Sequence, residues 1–252
     1  LMHATASGGG DAAKDRARIK FLQDKGLSVN ARDAAGRTPL YYATIGEAVF
    51  SAFFGGMPSF NERTTSVDLL LEAGANPNIA DKHGWTPLHV AAFANQERLV
   101  KALLAKKAGV NARTAAGMTP LHLACRKGFV DKEELAGIGA MLISDEILTD
   151  LTESDLQGIA DGMSVLFGSS VKAGAVGLLV KAGADLRGKD AAGRTPLGAA
   201  LQSGFTEAQA ILRTAGAPAE QAPAEVLKLP DASAMQFQSD TVPGNSPLHR
   251  AV

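Results

Sequence analysis

The tripeptide Thr-Pro-Leu recurs four times in this 252-residue chain, and each copy follows a short turn that contains glycine. The copies start at Thr38, Thr86, Thr119 and Thr195, and a variant starts at Ser246. Leucine-rich runs that lead into a further glycine turn precede three of these phrases. Self-similarity on this scale is typical of stacked-repeat proteins, in which each unit contacts only its neighbours.

Each residue type in the phrase suits one place in a helical pair. The threonine can cap the free N–H groups at the start of a helix. Proline then occupies the first helical position, where its missing N–H costs nothing. Glycines are expected to end the second helices in the left-handed conformation, at Gly74, Gly109, Gly183 and Gly216. Because no single unit can bury its apolar face alone, the units must stack.

The phrases at Thr86 and Thr119 read Thr-Pro-Leu-His-Val-Ala and Thr-Pro-Leu-His-Leu-Ala, and they resemble the ankyrin motif T-P-L-H-x-A. They lie 33 residues apart, which is the ankyrin period. The resemblance implies an all-α solenoid of stacked helix-turn-helix units with finger loops. The expected antiparallel helix pairs are 38–46 with 63–73, 87–94 with 96–105, 120–127 with 172–182, and 196–203 with 206–215.

The other gaps between phrases exceed one repeat and therefore indicate insertions. We place these insertions near 47–61, 129–171 and 219–236. The chain then forms one solenoid of six units, the outer two incomplete: 1–37, 38–85, 86–118, 119–194, 195–245 and 246–252. Because both ends fall inside a unit, we expect a fragment of a longer protein, with a naturally short terminal cap as the alternative.

The three insertions differ in composition. The first is aromatic and uncharged after Glu47, and the third is rich in proline and alanine, as in a mobile loop. The largest has apolar residues at helical spacing and predicts an inserted helical pair. Its nine acidic residues against one base, Lys132, favour either a solvated helical face or a docking surface for a basic partner. We expect no calcium site, because the acidic run at 145–150 lacks the central glycine of a calcium loop.

Few residues favour catalysis or metal binding. His89, His122 and His249 occupy one repeated slot, which His3 shares, and the resemblance implies that these rings tie neighbouring turns together. The alanine-rich surroundings of Cys125 predict a small buried hydrophobic residue rather than a reactive thiol. No nucleophile elbow, phosphate loop or His-Glu-x-x-His motif occurs in the sequence. We therefore expect no enzyme activity, catalytic residue, cofactor or metal site.

The composition gives no strong bias toward nucleic acid or membrane. The formal net charge is −1, and no apolar run approaches the roughly 18 residues of a membrane-spanning helix. We expect a monomer whose partner is another protein, with no nucleic acid and no membrane insertion. A cytoplasmic location is favoured, and a secreted effector is the alternative because the true N-terminus looks absent from the sequence.

The resemblance also implies a concave surface, built from fingers and first helices, that holds a partner protein. The candidate contacts in the fingers are Arg32, Asp33, Lys82, His83, Arg113, Thr114, Lys189 and Asp190. For Trp85, the sole tryptophan, the alternatives are packing against the next finger and a role as a hot-spot anchor. Two other functions stay open: a non-catalytic targeting part of a larger enzyme or secreted effector, and a purely structural solenoid whose groove the insertions cover.

Overall fold

The computed structural model describes residues 12–54, 65–126 and 173–219, all of which lie in one compact unit. The helices in these ranges are α1 Ala12–Asp24, α2 Pro39–Phe54, α3 Ser66–Glu72, α4 Pro87–Phe93, α5 Glu97–Ala105, α6 Pro120–Ala124, α7 Gly174–Lys181, α8 Pro196–Gln202 and α9 Thr206–Thr214. No strand occurs in these three ranges. The all-α class expected from the sequence is therefore confirmed.

The helices form pairs, and the pairs stack in two rows. α2 contacts α3, α4 contacts α5, α6 contacts α7, and α8 contacts α9, which are the pairs predicted from the repeated phrases. The first helices α2, α4, α6 and α8 contact one another in that order, and the second helices α1, α3, α5, α7 and α9 do the same. Each pair therefore packs on the pairs before and after it, as in a solenoid.

One apolar core runs through the described repeats, from Ile19 in α1 to Leu212 in α9. The leucines of the four Thr-Pro-Leu phrases are central to it, with exposed fractions of 0 or 1%: Leu40, Leu88, Leu121 and Leu197. Alanines occupy much of the space between these leucines. Small side chains let short helices approach closely, which agrees with the low aromatic content of 5%.

The Thr-Pro pairs begin the first helices as the sequence predicts. The hydroxyl of Thr119 accepts a hydrogen bond from the N–H of His122 at 3.4 Å. The hydroxyl of Thr195 accepts one from the N–H of Gly198 at 3.2 Å. The proline that follows each threonine occupies the first helical position, where it needs no hydrogen-bond acceptor.

Two local predictions are wrong. Helix α2 continues beyond its predicted end to Phe54, because residues 47–54 contain no glycine or proline to stop it. Gly109 does not take the left-handed position after α5. Lys107 takes it, with a φ of 60°, because α5 ends at Ala105 and the turn follows two residues later. The other three predicted helix-ending glycines do have positive φ values.

The start of α7 depends on a side chain from the preceding unit. Ala173 at its N-cap makes no side-chain cap. Asn95, between α4 and α5, instead accepts a hydrogen bond at its Oδ1 from the N–H of Ala175 at 2.9 Å. The left-handed φ of 50° at Asn95 is one that asparagine tolerates better than most residues. Contact with the preceding unit thus fixes the start of α7.

Some predictions concern residues outside the described ranges. They are the first helix of unit 1–37, the helical pair at 129–171, the loop at 219–236 apart from its first residue, the unit at 246–252, and the places of His3 and His249. These stay predictions. On either side of 129–171, α6 and α7 contact each other, as the sequence predicts for that unit.

Candidate protein-binding surface

Within the described ranges, four loops connect a second helix to the next first helix, and we call them fingers 1 to 4: residues 25–37, 73–85, 106–118 and 182–194. A backbone hydrogen bond joins each finger tip to the next. The N–H groups of Lys82, Ala115 and Ala191 donate to the carbonyl oxygens of Ala35, His83 and Ala116 at 2.9, 2.8 and 2.9 Å. The fingers therefore form one bonded row rather than four independent loops.

Asparagine side chains at the bases of fingers 1 to 3 add a second set of links. Each Oδ1 accepts a hydrogen bond from a backbone N–H of the following finger, in the pairs Asn30 with Asn76, Asn78 with Gly109, and Asn111 with Asp185, at 2.8, 2.7 and 2.8 Å. Tip and base are both tied, so the row of fingers is held in place in the free protein.

The acidic finger residues point into their own turns. Oδ1 of Asp33 accepts hydrogen bonds from the N–H groups of Ala35 and Arg37 at 2.9 and 2.8 Å. Asp190 does the same in finger 4 and is 7% exposed. In finger 3 the hydroxyl of Thr114 accepts a hydrogen bond from the N–H of Met118 at 3.2 Å. These three candidate contact residues therefore shape the fingers from within.

Arginines neutralise two of these carboxylates. Arg37 pairs with Asp33 at 2.9 Å, and Arg194 pairs with Asp190 at 2.8 Å. Burial alone would raise the pKa of Asp33. The hydrogen bonds from Tyr42 and Arg37 outweigh that effect and lower the pKa below its ordinary value. Asp33 is therefore a fixed anion whose charge is matched inside the finger.

The basic candidates, in contrast, are exposed. Arg32, Lys82, His83, Arg113 and Lys189 all lie at the surface of the fingers. Arg32 bridges fingers 1 and 2 by donating to the carbonyl oxygens of Gly36 and Ala80 at 3.1 and 2.9 Å. Arg113 bridges fingers 3 and 4 by donating to the carbonyl oxygen of Lys189. A partner that approached the finger tips would therefore meet basic side chains first.

Trp85 belongs to a small apolar cluster between α2 and α4 that is separate from the main core. Tyr41, Ile45 and Val90 are buried in this cluster, and the partly buried Trp85 packs against it. The indole ring also lies 6.4 Å from the ring of Phe93, centroid to centroid, in an edge-on arrangement. Contact with these two first helices was not among the alternatives that the sequence suggested.

Two of the repeated histidines, His89 and His122, tie neighbouring turns together, as the resemblance implies. Nδ1 of His89 accepts a hydrogen bond from the N–H of Thr86 at 3.1 Å, and its Nε2 lies 3.3 Å from the carbonyl oxygen of Met118. His122 repeats this arrangement with Thr119 and with the carbonyl oxygen of Arg194. Since a backbone N–H can only donate, Nδ1 must be the acceptor and Nε2 must carry the hydrogen.

Tyr41 stands in the histidine slot of α2, and sequence reasoning missed its role. Its hydroxyl donates a hydrogen bond to Oδ2 of Asp81 at 3.1 Å. The phenol thus joins α2 to finger 2, as the imidazoles join later helices to later fingers. Burial raises the pKa of Tyr41. Its place three residues after Thr38 was a signal that could have identified this role.

Protonation of His89 should destabilise the fold. Burial lowers its pKa to about 4, and the protonated ring would place a second N–H against the N–H of Thr86. Because this value lies below the ordinary value near 6.5, the unfolded chain binds the proton first as pH falls. We expect the free energy of unfolding to be steady above about pH 7.5. It should fall between pH 6.5 and 4, with about 2 kcal/mol lost at pH 5 from His89 alone.

Urea unfolding of the full chain at pH 7.5 and pH 5 measures this effect. His89→Gln should remove the part of the stability loss that comes from this ring. The rest of the loss should remain, because burial also lowers the pKa of His122. His83→Gln is the matched control, because that ring is exposed at the tip of finger 2. A His89→Gln variant with the same pH dependence as His83→Gln would contradict the prediction.

In the described ranges, the residue types that bind metals do not cluster. Within them, no three His, Cys, Asp or Glu side chains converge as metal ligands. Of the described helices, none has the length and apolar character needed to cross a membrane. Cys125 is fully buried, and burial raises the pKa of its thiol, as expected for a residue that acts as a small hydrophobic group.

A double row of stacked helices with a bonded row of fingers defines a helical-repeat solenoid. The family model described as "Ankyrin repeats (3 copies)" matches residues 59–135, and the one described as "Ankyrin repeat" matches residues 35–82. These matches, which together cover residues 35–135, support an ankyrin-repeat protein. Ankyrin repeats in general are protein–protein interaction modules.

Several curated proteins are similar to the chain. It is 29% identical over 250 residues to human Rabankyrin-5, an alignment that covers 92% of this chain and 21% of Rabankyrin-5. It is 35% identical over 127 residues to dog Inversin, covering 50% of this chain and 10% of Inversin. Human neurogenic locus notch homolog protein 4 is 42% identical over 100 residues, an alignment that covers 39% of this chain and 4% of that protein. The chain thus spans about a fifth or less of the length of each of these relatives.

Proposed function

We propose that this chain is a monomeric, non-catalytic adaptor that binds one partner protein through its finger face, meaning fingers 1 to 4 and the adjoining ends of the first helices. The bonded row of fingers is the observation that carries the proposal. Adjacent fingers are tied at the tip by backbone hydrogen bonds and at the base by asparagines. A partner therefore meets a surface that is already ordered and does not have to supply the cost of ordering it.

The candidate residues divide into two roles in this proposal. Lys82, His83 and Lys189 are the direct contacts, because their side chains are exposed at the tips, with Arg32 and Arg113 beside them. The side chains of Asp33, Thr114 and Asp190 support the turns. Trp85 is the anchor, since a partly exposed aromatic ring next to an apolar cluster has the properties of a binding hot spot.

Site-specific photo-crosslinking tests the proposal. A photoreactive residue at position 82 or 189 of the full chain should crosslink a partner protein in cells. The same residue at position 101, on the exposed side of α5, is the matched control and should not. Trp85→Ala should weaken binding of that partner by roughly tenfold or more. Crosslinks from position 101 alone would contradict the proposal.

A second candidate function is a targeting segment within a larger enzyme or secreted effector. The chain spans only a small share of each relative, which leaves room for fused domains in a longer protein. Both candidates need the finger face for partner binding, so the crosslinking experiment serves both. Sequencing the complete reading frame and assaying any fused domain would separate them.

A further inference from the structure

We infer that the finger face binds an extended acidic segment of the partner protein. The inference rests on the proposed function and adds the chemistry of the partner. The first observation is the charge of the exposed finger residues. Eight basic side chains are exposed in the fingers: Lys25, Arg32, Lys82, Lys106, Lys107, Arg113, Arg187 and Lys189. Asp185 is the one exposed acid in the same loops.

The remaining finger carboxylates do not cancel this charge at the surface. Asp33 and Asp190 are paired with arginines inside their own turns. Oδ1 of Asp81 accepts hydrogen bonds from two backbone N–H groups of finger 2, at 2.8 Å each, and its Oδ2 accepts from the hydroxyl of Tyr41. Even the exposed Asp185 accepts a hydrogen bond at its Oδ1 from the N–H of Arg187 at 2.9 Å. The acids accept hydrogen bonds within the protein, whereas all eight basic side chains are exposed, although Arg32 and Arg113 also donate to finger carbonyl oxygens.

The excess is greater in the fingers than in α5 and α9, but α1 also exposes more bases than acids: Lys14, Arg16, Arg18 and Lys20 against Asp24. The second helices carry exposed charges of both signs, such as Glu97 and Lys101 in α5 and Glu207 and Arg213 in α9. The whole chain has a formal charge of −1, so it exerts no long-range attraction on a phosphate polymer. A row of bases on a protein-binding surface of a nearly neutral chain favours carboxylates of a protein partner, since complementary charge sets specificity at such surfaces.

The spacing of the fingers sets the length of the segment. The same position of the finger is basic in fingers 1, 3 and 4, where it holds Arg32, Arg113 and Lys189. In finger 2, Lys82 lies two residues after that position. Adjacent packed helices lie about 8–10 Å apart, so four fingers span roughly 25–30 Å. An extended peptide advances about 3.3 Å per residue, which gives eight or nine residues with an acid at about every third position.

Fluorescence polarisation with the full chain tests this inference. The probe is a labelled ten-residue peptide with glutamate at every third position and glycine or serine at the others. The control peptide has glutamine in place of each glutamate. At low ionic strength, the glutamate peptide should bind at least tenfold more tightly than the glutamine peptide. Raising the salt to about 0.3 M should weaken binding, since exposed charges are screened.

Two double variants with equal changes in net charge locate the site. Lys82→Glu with Lys189→Glu should weaken binding of the glutamate peptide at least tenfold. Lys101→Glu with Arg213→Glu, on the second helices, should change it less than twofold. Equal losses in the two variants would overturn the inference, because the effect would then come from overall charge. Tighter binding of a single-stranded DNA decamer than of the peptide would also overturn it.

The same variants separate this inference from the proposed function. A partner protein that crosslinks through positions 82 and 189 but tolerates Lys82→Glu with Lys189→Glu would refute the acidic segment and support the finger face as the binding surface. Crosslinking from position 101 alone would refute the finger face itself. Crosslinks from positions 82 and 189 in the otherwise unchanged chain, together with loss of partner binding in the finger variant but not in the second-helix variant, support both.

Discussion

Leu121→Ala is expected to lower the free energy of unfolding by roughly 2–5 kcal/mol. Leu121 is the second residue of α6 and is 0% exposed, in a core that extends through every described repeat. Many residues of this core are alanines, such as Ala92, Ala124 and Ala200. Alanine has no alternative rotamer with which to fill a cavity, so the space left by the leucine should stay largely empty. Chemical denaturation of the full chain measures the change.

Thr119→Ala provides the comparison for this experiment. It removes the cap of the same helix, a hydrogen bond of 3.4 Å, without opening a cavity in the core. The expected cost is about 1 kcal/mol. If the two variants gave equal and near-zero changes, the unit that contains α6 would not be folded as described.

Arg98→Met should have the second large effect, and the reason lies in a charged cluster between three helices. The guanidinium group of Arg98 in α5 contacts the carboxylate of Glu47 in α2. It also contacts Asp68 in α3 at 2.9 Å and the hydroxyl of Thr65 at 2.6 Å. Burial raises the pKa of Glu47, and the charge of Arg98 opposes that rise. Arg98 therefore keeps two partly buried carboxylates neutralised.

Removal of the guanidinium group would leave those carboxylates without their cation. Breaking a fully buried ion pair on one side costs about 3–5 kcal/mol. The Arg98 side chain is 31% exposed, so solvent reduces the penalty, and we expect a loss of about 2–4 kcal/mol. Urea unfolding at pH 7.5 measures it.

Lys101→Met is the matched control for Arg98→Met. It lies on the same helix and pairs with Glu97 at 3.4 Å, but the two side chains are 60% and 48% exposed. An exposed pair of this kind contributes little, so the loss should stay within about 0.5 kcal/mol. Similar losses for the two variants would show that Arg98 acts only as an exposed charge.

Local signals in the sequence were sufficient for the class of fold and for the helix pairs. Thr-Pro caps such as Thr119-Pro120 mark helix starts, and the 33-residue spacing of two phrases identifies the repeat. These signals act within a few residues or recur at a fixed interval, so they can be read without knowing what lies next to them. Where a turn departed from the pattern, as at Lys107, the prediction failed by two residues.

The long-range contacts, by contrast, depend on how the repeats stack. Tyr41 binds Asp81, Arg98 binds Glu47, and Asn95 caps α7, across separations of 40, 51 and 80 residues. The sequence contains no local signal for such pairs, because neighbouring units bring them together. The charge of the finger face has the same origin. In the sequence, Asp33 and Lys82 are both simply polar residues in turns. In the folded chain the carboxylate is used by backbone N–H groups and the ammonium group faces solvent, because only the carboxylate can accept those hydrogen bonds.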